Sequence, residues 1–170
     1  MVNLEIAETV RAAWPQERPV FFRVSAVDGI DGGWALDDTA ALAKEVEARG
    51  IDVIDCSSGG IAGSATAARI VRTPGFQVPF ADRVRRKAGI KTMAVGLILE
   101  PQQAEAVLQN GQADLIAIGR EALHDPNLPA RAARALTGTS ADFALWPVQA
   151  GWLLERRQRG LRALRGQGKH

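Results

Sequence analysis

Four short apolar segments, each followed by a pattern typical of an amphipathic helix, constrain the fold of this chain more than any other feature. The segments cover residues 19–25, 51–56, 92–98 and 115–119. Nearly continuous apolar runs of this length are typical of parallel strands that are buried on both faces. Because strands and helices alternate strictly, the sequence predicts an α/β fold with a parallel sheet and right-handed crossovers.

The helical segments between these strands begin and end at recognisable residues. One helix is predicted over residues 36–49, with aspartates at its start and Gly50 just beyond its end. Another is predicted over 101–110, because Pro101 suits a first helical turn and Gly111 follows the last apolar residue. Further helices are predicted over residues 3–14, 80–87 and 121–136.

The length of 170 residues predicts one globular domain, which we assign to residues 1–150, followed by a basic helix or tail over 151–170. Six of the 21 basic residues follow Glu155 with no acidic residue among them. A basic tail can attract nucleic acid or an anionic membrane, but this one lacks the interleaved aromatic side chains of a single-strand binder. We therefore expect a solvated helix face and neither nucleic acid nor membrane as a partner.

The chain shows no apolar run of membrane-spanning length and no signal segment at its start. Its single cysteine, Cys56, excludes an internal disulfide, which agrees with a cytoplasmic location. Cys56 also has no clustered histidine or second cysteine, so no metal site is expected. A serine hydrolase is not expected, because Ser57 and Ser58 lack a plausible histidine base: His124 lies in a predicted helix and His170 is terminal. The glycine-rich segment 29–33 matches no nucleotide-binding motif, and a plain turn is expected there.

The most informative residues lie on the third predicted strand and at the end of the fourth. Gly119 and Arg120 stand where the fourth strand gives way to a helix. A glycine lets a ligand approach the backbone, a helix N-terminus offers free N–H groups, and arginine can bind phosphate with two hydrogen bonds. Gly96 on the third strand would allow a second close approach. This combination is similar to the phosphate site that many (β/α)8 barrels build after strands seven and eight.

Arg23 is a cation inside the apolar run of the first predicted strand. Burying a cation is costly unless an anionic or electron-rich group meets it. Two interpretations remain open at this point. Arg23 contacts a cofactor at the mouth of a barrel, or it forms an ion pair with a neighbouring acid such as Asp55.

Taken together, these segments resemble the C-terminal half of the NADH:flavin oxidoreductases, the Old Yellow Enzyme family, and most of all its bacterial thermophilic-like or xenobiotic reductase-like class. The segments that match are residues 22–26, 52–59, 74–81, 94–98, 113–121 and 146–149. The resemblance implies part of a (β/α)8 barrel that binds FMN, oxidises NAD(P)H and reduces activated alkenes. It also implies that Arg23 lies near the flavin pyrimidine edge, and that Gly119 and Arg120 bind the FMN phosphate with Gly96 as a further backbone contact.

The chain departs from this family in several respects. A whole (β/α)8 barrel typically needs about 250 residues, whereas this chain has 170 residues and four predicted strands. The family's substrate-binding histidine pair and tyrosine proton donor belong to its first half, and this chain has no tyrosine and only two histidines, His124 and His170. Ala150 also stands where the family often has an aromatic residue after Gln149. We therefore expect an FMN-phosphate-binding half-barrel that has no catalytic residue of its own and is inactive alone. It would pair with itself or with a complementing half.

The alternative function is a non-catalytic module that binds phosphate or flavin and dimerises or complements a partner half. An inactive fragment without a ligand, and an interaction role through the basic tail, are further alternatives.

Overall fold

The computed structural model describes residues 2–59, 71–138, 143 and 145–167, and it divides the chain into two compact units, Met1–Gly119 and Arg120–His170. The first unit contains the sheet. Its elements in chain order are α1 (Val2–Ala13), β1 (Phe21–Ser25), α2 (Leu36–Glu47), β2 (Val53–Ser57), α3 (Val78–Ala88), β3 (Lys91–Ala94), α4 (Pro101–Gln109) and β4 (Leu115–Ile116).

The four strands form one sheet in the order β1-β2-β3-β4, and each neighbouring pair is parallel. The predicted α/β class with a parallel sheet is therefore confirmed. Strand β3 ends at Ala94, earlier than predicted, because Gly96 and Leu97 have positive φ angles of 115° and 51° that an extended strand does not allow. Strand β4 is likewise limited to two residues.

The hydrophobic core of this unit lies between the sheet and its helices, mainly α2 and α3. Its largest fully buried side chains include Ile54 of β2, Val46 of α2, Val84 of α3 and Ile90 before β3. Each such burial contributes about 1.5–3 kcal/mol relative to an exposed side chain. Packing against helices explains why the apolar runs alternate with amphipathic segments in the sequence.

The opposite face of the sheet is more open than the sequence predicts. Strand β2 is buried from Val53 to Cys56, as expected for a central strand. In β1, however, Phe21 is 47% exposed, and in β4 Leu115 is 41% exposed. The expectation of strands buried on both faces is therefore wrong for these outer strands, each of which pairs with one described strand only.

Two aspartates complete the sheet at the edge where its strands begin. Asp52 precedes β2, and its Oδ2 accepts the backbone N–H of Val20 at 2.8 Å. Asp114 precedes β4, and its Oδ2 accepts the N–H of Thr92 at 2.9 Å. Each carboxylate thus caps the start of the neighbouring strand, where a parallel ladder leaves an N–H without a backbone partner.

Asp114 also binds Arg85 of α3 through both carboxylate oxygens. Arg85 Nε donates to Oδ2 at 3.1 Å and Nη2 to Oδ1 at 3.2 Å, while Nη1 donates to the Gly111 carbonyl. Burial by itself raises the pKa of Asp114, but the hydrogen bonds from Arg85 and Thr92 outweigh it and hold the pKa below its ordinary value. The ion pair therefore ties α3 to the beginnings of β3 and β4.

We expect Asp114→Asn to lower the free energy of unfolding at pH 7 by about 1–2 kcal/mol, because charged hydrogen bonds to a partly exposed pair are lost. A carboxylate with a lowered folded-state pKa stabilises the protein above its unfolded-state pKa, and this contribution is lost as the pH falls below about 4. Urea unfolding followed by tryptophan fluorescence should therefore show that the difference in the free energy of unfolding between variant and wild type is smaller at pH 3 than at pH 7.

The control is Asp82→Asn, which removes the surface pair that Asp82 makes with Arg86 one helical turn away. It should change stability by less than about 0.5 kcal/mol. A difference between the Asp114 variant and the wild type that stays constant with pH would contradict the assigned role of the carboxylate.

The second unit consists of α5 (Arg120–His124), α6 (Leu128–Thr137) and α7 (Val148–Gln167) among its described residues. The prediction of one helix over 121–136 is wrong, because Pro126 separates two helices. Proline offers no N–H and disfavours helical backbone in the residue before it. Asp125 stabilises the break, since its Oδ1 accepts the N–H of Asn127 and its Oδ2 binds the Arg131 side chain.

Helix α7 contains most of the basic residues after Glu155, and its side chains are largely exposed. Arg156 lies over the Trp152 ring, with 5.6 Å between the guanidinium carbon and the ring centroid. None of the helices in the described ranges is both long and apolar enough to cross a membrane. The predicted division of the chain into a domain over residues 1–150 and a basic helix or tail over 151–170 stays a prediction.

Candidate functional site

Gly96 and Gly119, which the sequence singled out, follow the ends of β3 and β4 in the first unit. Ligands of parallel α/β folds bind at the edge of the sheet where the strands end. The glycine-rich segment after β1 lies there too, and it forms a closed turn: the Asp28 carboxylate accepts the Trp34 N–H at 2.8 Å, and the Asp28 N–H donates to the Trp34 carbonyl at 3.0 Å. Its glycines therefore serve a turn.

Arg23 is the middle residue of β1 and stands opposite Asp55 of β2. Its Nη1 donates to Asp55 Oδ2 at 2.7 Å, so the ion pair that the sequence left open is present. A ligand contact is compatible with this pair, because the Arg23 side chain is 60% exposed whereas that of Asp55 is 6% exposed. A guanidinium has five N–H donors, and within the described residues Arg23 uses only this one contact.

The carboxylate of Asp55 is buried and incompletely hydrogen-bonded. Its Oδ1 is inaccessible to solvent and has no hydrogen-bond partner among the described residues. Burial raises the pKa of Asp55, and the attraction of Arg23 offsets this only in part. The neighbouring Cys56 is also buried, and burial together with the Asp55 charge raises the pKa of its thiol to about 12. Cys56 is thus a packing residue and a poor nucleophile at neutral pH.

Gly96 has two structural reasons to be a glycine. Its φ angle of 115° is one that other residues rarely adopt. A Cβ on Gly96 would also lie 3.1 Å from atoms of Gln77 and Phe76. Its carbonyl accepts the Gly75 N–H at 2.8 Å, which joins this loop to the segment before α3. The predicted contact of Gly96 with a ligand stays a prediction, and packing already accounts for the glycine.

Gly119 differs from Gly96 in both respects. It does not have a positive φ angle, and a Cβ there would meet nothing within 4 Å. The residue is exposed and lies three positions beyond the end of β4. Neither backbone conformation nor packing within the described residues therefore requires glycine at this position. A ligand that approaches the backbone here would be a physical reason for it.

Arg120 begins α5 and the second compact unit. It is exposed and forms no ion pair with any residue that the structure describes. The helix that it begins has only five residues, so the dipole of a long helix adds little to any anion site there. The guanidinium itself remains the feature that suits a phosphate.

The other polar residues that the sequence singled out have structural roles or show no feature of a site. Ser57 Oγ donates to the Val24 carbonyl at 3.1 Å, and Ser58 Oγ accepts a hydrogen bond from Gln77 at 3.0 Å. His124 is exposed at the end of α5, and His170 lies outside the described residues. In the described part of the chain, no three acidic, cysteine or histidine side chains converge on a possible metal position.

Gln77 is the residue near this edge that sequence reasoning missed. It is buried just before α3, and its Nε2 donates to both the carbonyl and the hydroxyl of Ser58, at 2.8 and 3.0 Å. It also lies beside Gly96, where an added Cβ would come within 3.1 Å of it, so it packs between the ends of β2 and β3. A glutamine inside the otherwise apolar segment 74–81 was the available signal, since a buried amide needs partners.

These residues fit a flavin with a phosphate group. Arg23 presents unused donors on an exposed sheet face, which suits an electron-rich ring edge, and the open backbone at Gly119 suits a phosphate oxygen. A sheet of parallel βα units with such residues at its carboxyl edge is typical of phosphate-binding (β/α)-barrel proteins. The chain belongs to the NADH:flavin oxidoreductase / NADH oxidase family, whose sequence profile matches residues 2–138.

Curated relatives support the same assignment. An NADPH dehydrogenase of Geobacillus thermodenitrificans is 45% identical over 132 residues, which are 78% of this chain and 37% of that protein. An NADPH dehydrogenase of another Geobacillus strain is 42% identical over 87% of this chain and 41% of its own length. An NADPH dehydrogenase of Bacillus subtilis is 45% identical over 78% of this chain.

The chain thus spans about two fifths of the length of the curated relatives it matches. The resemblance identified from the strand-end motifs is confirmed, and with it the barrel type of fold to which the four parallel βα units belong. The family is described as NADH:flavin oxidoreductases and NADH oxidases, and the relatives above are named NADPH dehydrogenases.

Proposed function

We propose that this chain is the FMN-phosphate-binding half of an FMN-dependent NAD(P)H oxidoreductase of the ene-reductase type, which acts on small electron-poor alkenes. The observation that supports this most is the placement of Gly119. It is an exposed glycine beyond the end of a parallel strand, and neither its φ angle nor its packing requires glycine. The family match over residues 2–138 supports FMN as that ligand.

Each site residue has a proposed role toward the cofactor. The Arg23 guanidinium faces the pyrimidine edge of the flavin, where a positive charge favours the reduced, anionic ring. Gly119 lets a phosphate oxygen approach the backbone, Arg120 adds a charged hydrogen bond to that phosphate, and Gly96 supplies a further backbone contact. When bound, FMN supplies the hydride-transfer chemistry, and the protein supplies binding, orientation and electrostatics.

The catalytic acid and the substrate-binding pair are proposed to come from outside this chain. The sequence has no tyrosine and two histidines, of which the described one, His124, is exposed at a helix end. The exposed apolar side chains Phe21 and Leu115 on the outer strands support a second half that would cover this sheet face. We propose that this half is a complementing half-barrel chain or another copy of this one.

The absence of tyrosine also favours a second candidate function. The chain would hold FMN or another phosphate-bearing ligand as a non-catalytic module, dimerising or complementing a partner half. Both functions require flavin binding, but only the first requires NAD(P)H oxidation once the second half is present. The absorbance spectrum of the purified chain, before and after addition of FMN and desalting, tests the shared requirement.

Retained flavin absorbance, followed by NAD(P)H oxidation and alkene reduction, would support the oxidoreductase. Retained absorbance without NAD(P)H oxidation would favour the binding module. A colourless protein after desalting would contradict FMN binding by this chain alone and restrict the proposal to the complemented barrel.

We expect Arg120→Ala to weaken FMN binding by about tenfold, because one charged hydrogen bond to the phosphate is lost. Stability should stay within about 0.5 kcal/mol, since Arg120 is exposed and unpaired among the described residues. Fluorescence titration should give riboflavin, which lacks the phosphate, the same affinity for variant and wild type. Unchanged FMN affinity would rule out the proposed contact.

A further inference from the structure

The ion pair between Arg23 and Asp55 is built differently from the ion pair between Arg85 and Asp114 in the same unit. Arg85 and Asp114 form two hydrogen bonds between their side chains, and each also binds a backbone group. Arg23 and Asp55 share a single hydrogen bond of 2.7 Å, although both groups can bind in a bidentate manner. Arg85 and Asp114 thus use three guanidinium nitrogens and both carboxylate oxygens within the protein, whereas Arg23 and Asp55 use one nitrogen and one oxygen.

In the Arg23–Asp55 pair, the buried partner has one unused oxygen and the exposed partner has the unused N–H donors. Asp55 is the middle residue of β2, flanked in register by Arg23 on one side and Met93 on the other, and its side chain is almost wholly buried. Its position is therefore fixed by the sheet. Arg23 extends from an outer strand with most of its side chain exposed, and its remaining N–H donors have no partner among the described residues.

A long arginine side chain on an exposed sheet face has many rotamers, and a carboxylate that is fixed in the sheet restricts them. Because the contact is through one Nη1 group, it anchors the guanidinium without occupying its other donors. Burying a carboxylate with one free oxygen is unfavourable for folding, so stability alone does not explain this arrangement. A role in presenting Arg23 to a ligand does explain it.

We propose that Asp55 is a positioning residue that holds the Arg23 guanidinium in place so that its unused N–H donors meet the electron-rich edge of a planar ligand. For the chain as a flavoprotein, that edge is the pyrimidine side of FMN, and in this respect the inference rests on the proposed function. Asp55 itself does not contact the ligand, and all of its effect on binding passes through Arg23.

The test is a double-mutant cycle on FMN affinity with the full chain. Asp55→Asn, which keeps the shape and removes the charge, is expected to weaken FMN binding by about tenfold, as for loss of one charged hydrogen bond. In an Arg23→Ala background the same substitution should change the affinity by less than about twofold, because there is no guanidinium left to position. Equal effects of Asp55→Asn in both backgrounds would overturn the inference while leaving FMN binding intact.

A second readout needs no cofactor. Relaxation of the Arg23 Nε–Hε group by ¹⁵N NMR should show restricted motion in the ligand-free wild type and fast motion in Asp55→Asn, with Arg85 unchanged as the internal reference. Equal mobility of Arg23 in both proteins would overturn the positioning role, whether or not the chain binds FMN. If the chain binds no FMN and Arg23 is nevertheless released by the substitution, the proposed function fails for this chain and the positioning stands.

Asp114→Asn is the matched control, because it weakens an ion pair that lies where the strands of the same sheet begin. It should lower stability and leave both FMN affinity and Arg23 motion unchanged. A loss of affinity equal to that of Asp55→Asn would show that any weakened ion pair of the sheet has this effect, and it would overturn the specific role of Asp55.

Discussion

Gly119→Ala is expected to weaken FMN binding by about 100-fold while leaving the unfolding transition where it is in the wild type. Apart from its two chain neighbours, a methyl group at this position meets no atom of the described residues within 4 Å, so the described fold accommodates it. The same space is where the proposed phosphate oxygen approaches the backbone, and the added carbon would displace it. Loss of about two charge-assisted hydrogen bonds corresponds to a change of this size.

The experiment compares FMN and riboflavin affinities by fluorescence titration and thermal unfolding of the ligand-free proteins. Gly160→Ala is the control, because Gly160 lies within α7 and its Cβ would also meet nothing within 4 Å. It should leave FMN affinity unchanged. Destabilisation of Gly119→Ala by more than about 1 kcal/mol would show that glycine is needed there for the fold, and unchanged FMN affinity would refute the phosphate contact.

Gly96→Ala is expected to have the largest effect on stability of the substitutions considered, a loss of about 3 kcal/mol. Two costs combine: an alanine at a φ angle of 115° is strained by about 1–3 kcal/mol, and its Cβ would lie 3.1 Å from Gln77 and Phe76. Gln77 cannot yield easily, because its amide is held by two hydrogen bonds to Ser58. Urea unfolding of the ligand-free protein measures the loss.

Gly89→Ala separates the two costs. Gly89 ends α3 with a φ angle of 88°, but a Cβ there would meet nothing within 4 Å. It should therefore cost only the conformational part, about 1–2 kcal/mol. Equal losses for Gly89→Ala and Gly96→Ala would show that crowding by Gln77 and Phe76 does not matter, and a stable Gly96→Ala with weakened FMN binding would favour the ligand contact as the reason for that glycine.

Packing assigns the glycines of the strand ends to different roles, which their sequence contexts do not distinguish. In the sequence, Gly96 lies within the third predicted strand and Gly119 ends the fourth, and both suggest a close approach of a ligand. In the structure, Gly96 is accounted for by its own backbone and neighbours, whereas Gly119 is not. The difference arises from Gln77, which lies 19 residues before Gly96 and reaches it only through the tertiary fold.

The sequence by itself determined the class of fold, the order of strands and helices, and the family. These follow from local information: apolar runs set the strands, capping residues, prolines and glycines set the helix ends, and alternation sets the parallel topology. The family follows from motifs after each strand, which are contiguous in the chain. Pro126 is a local signal for the break between α5 and α6, but the periodic apolar pattern over residues 121–136 continues across it and predicts a single helix.

Tertiary structure alone decided how the charged residues of the sheet are used. Arg23 and Asp55 are 32 residues apart, and only the parallel register of β1 and β2 brings them into a single hydrogen bond. Only burial in the central strand leaves one Asp55 oxygen without a partner, and only the outer position of β1 keeps Arg23 exposed. Hydrogen bonding and desolvation depend on neighbours that are distant in the chain, and no local pattern specifies them.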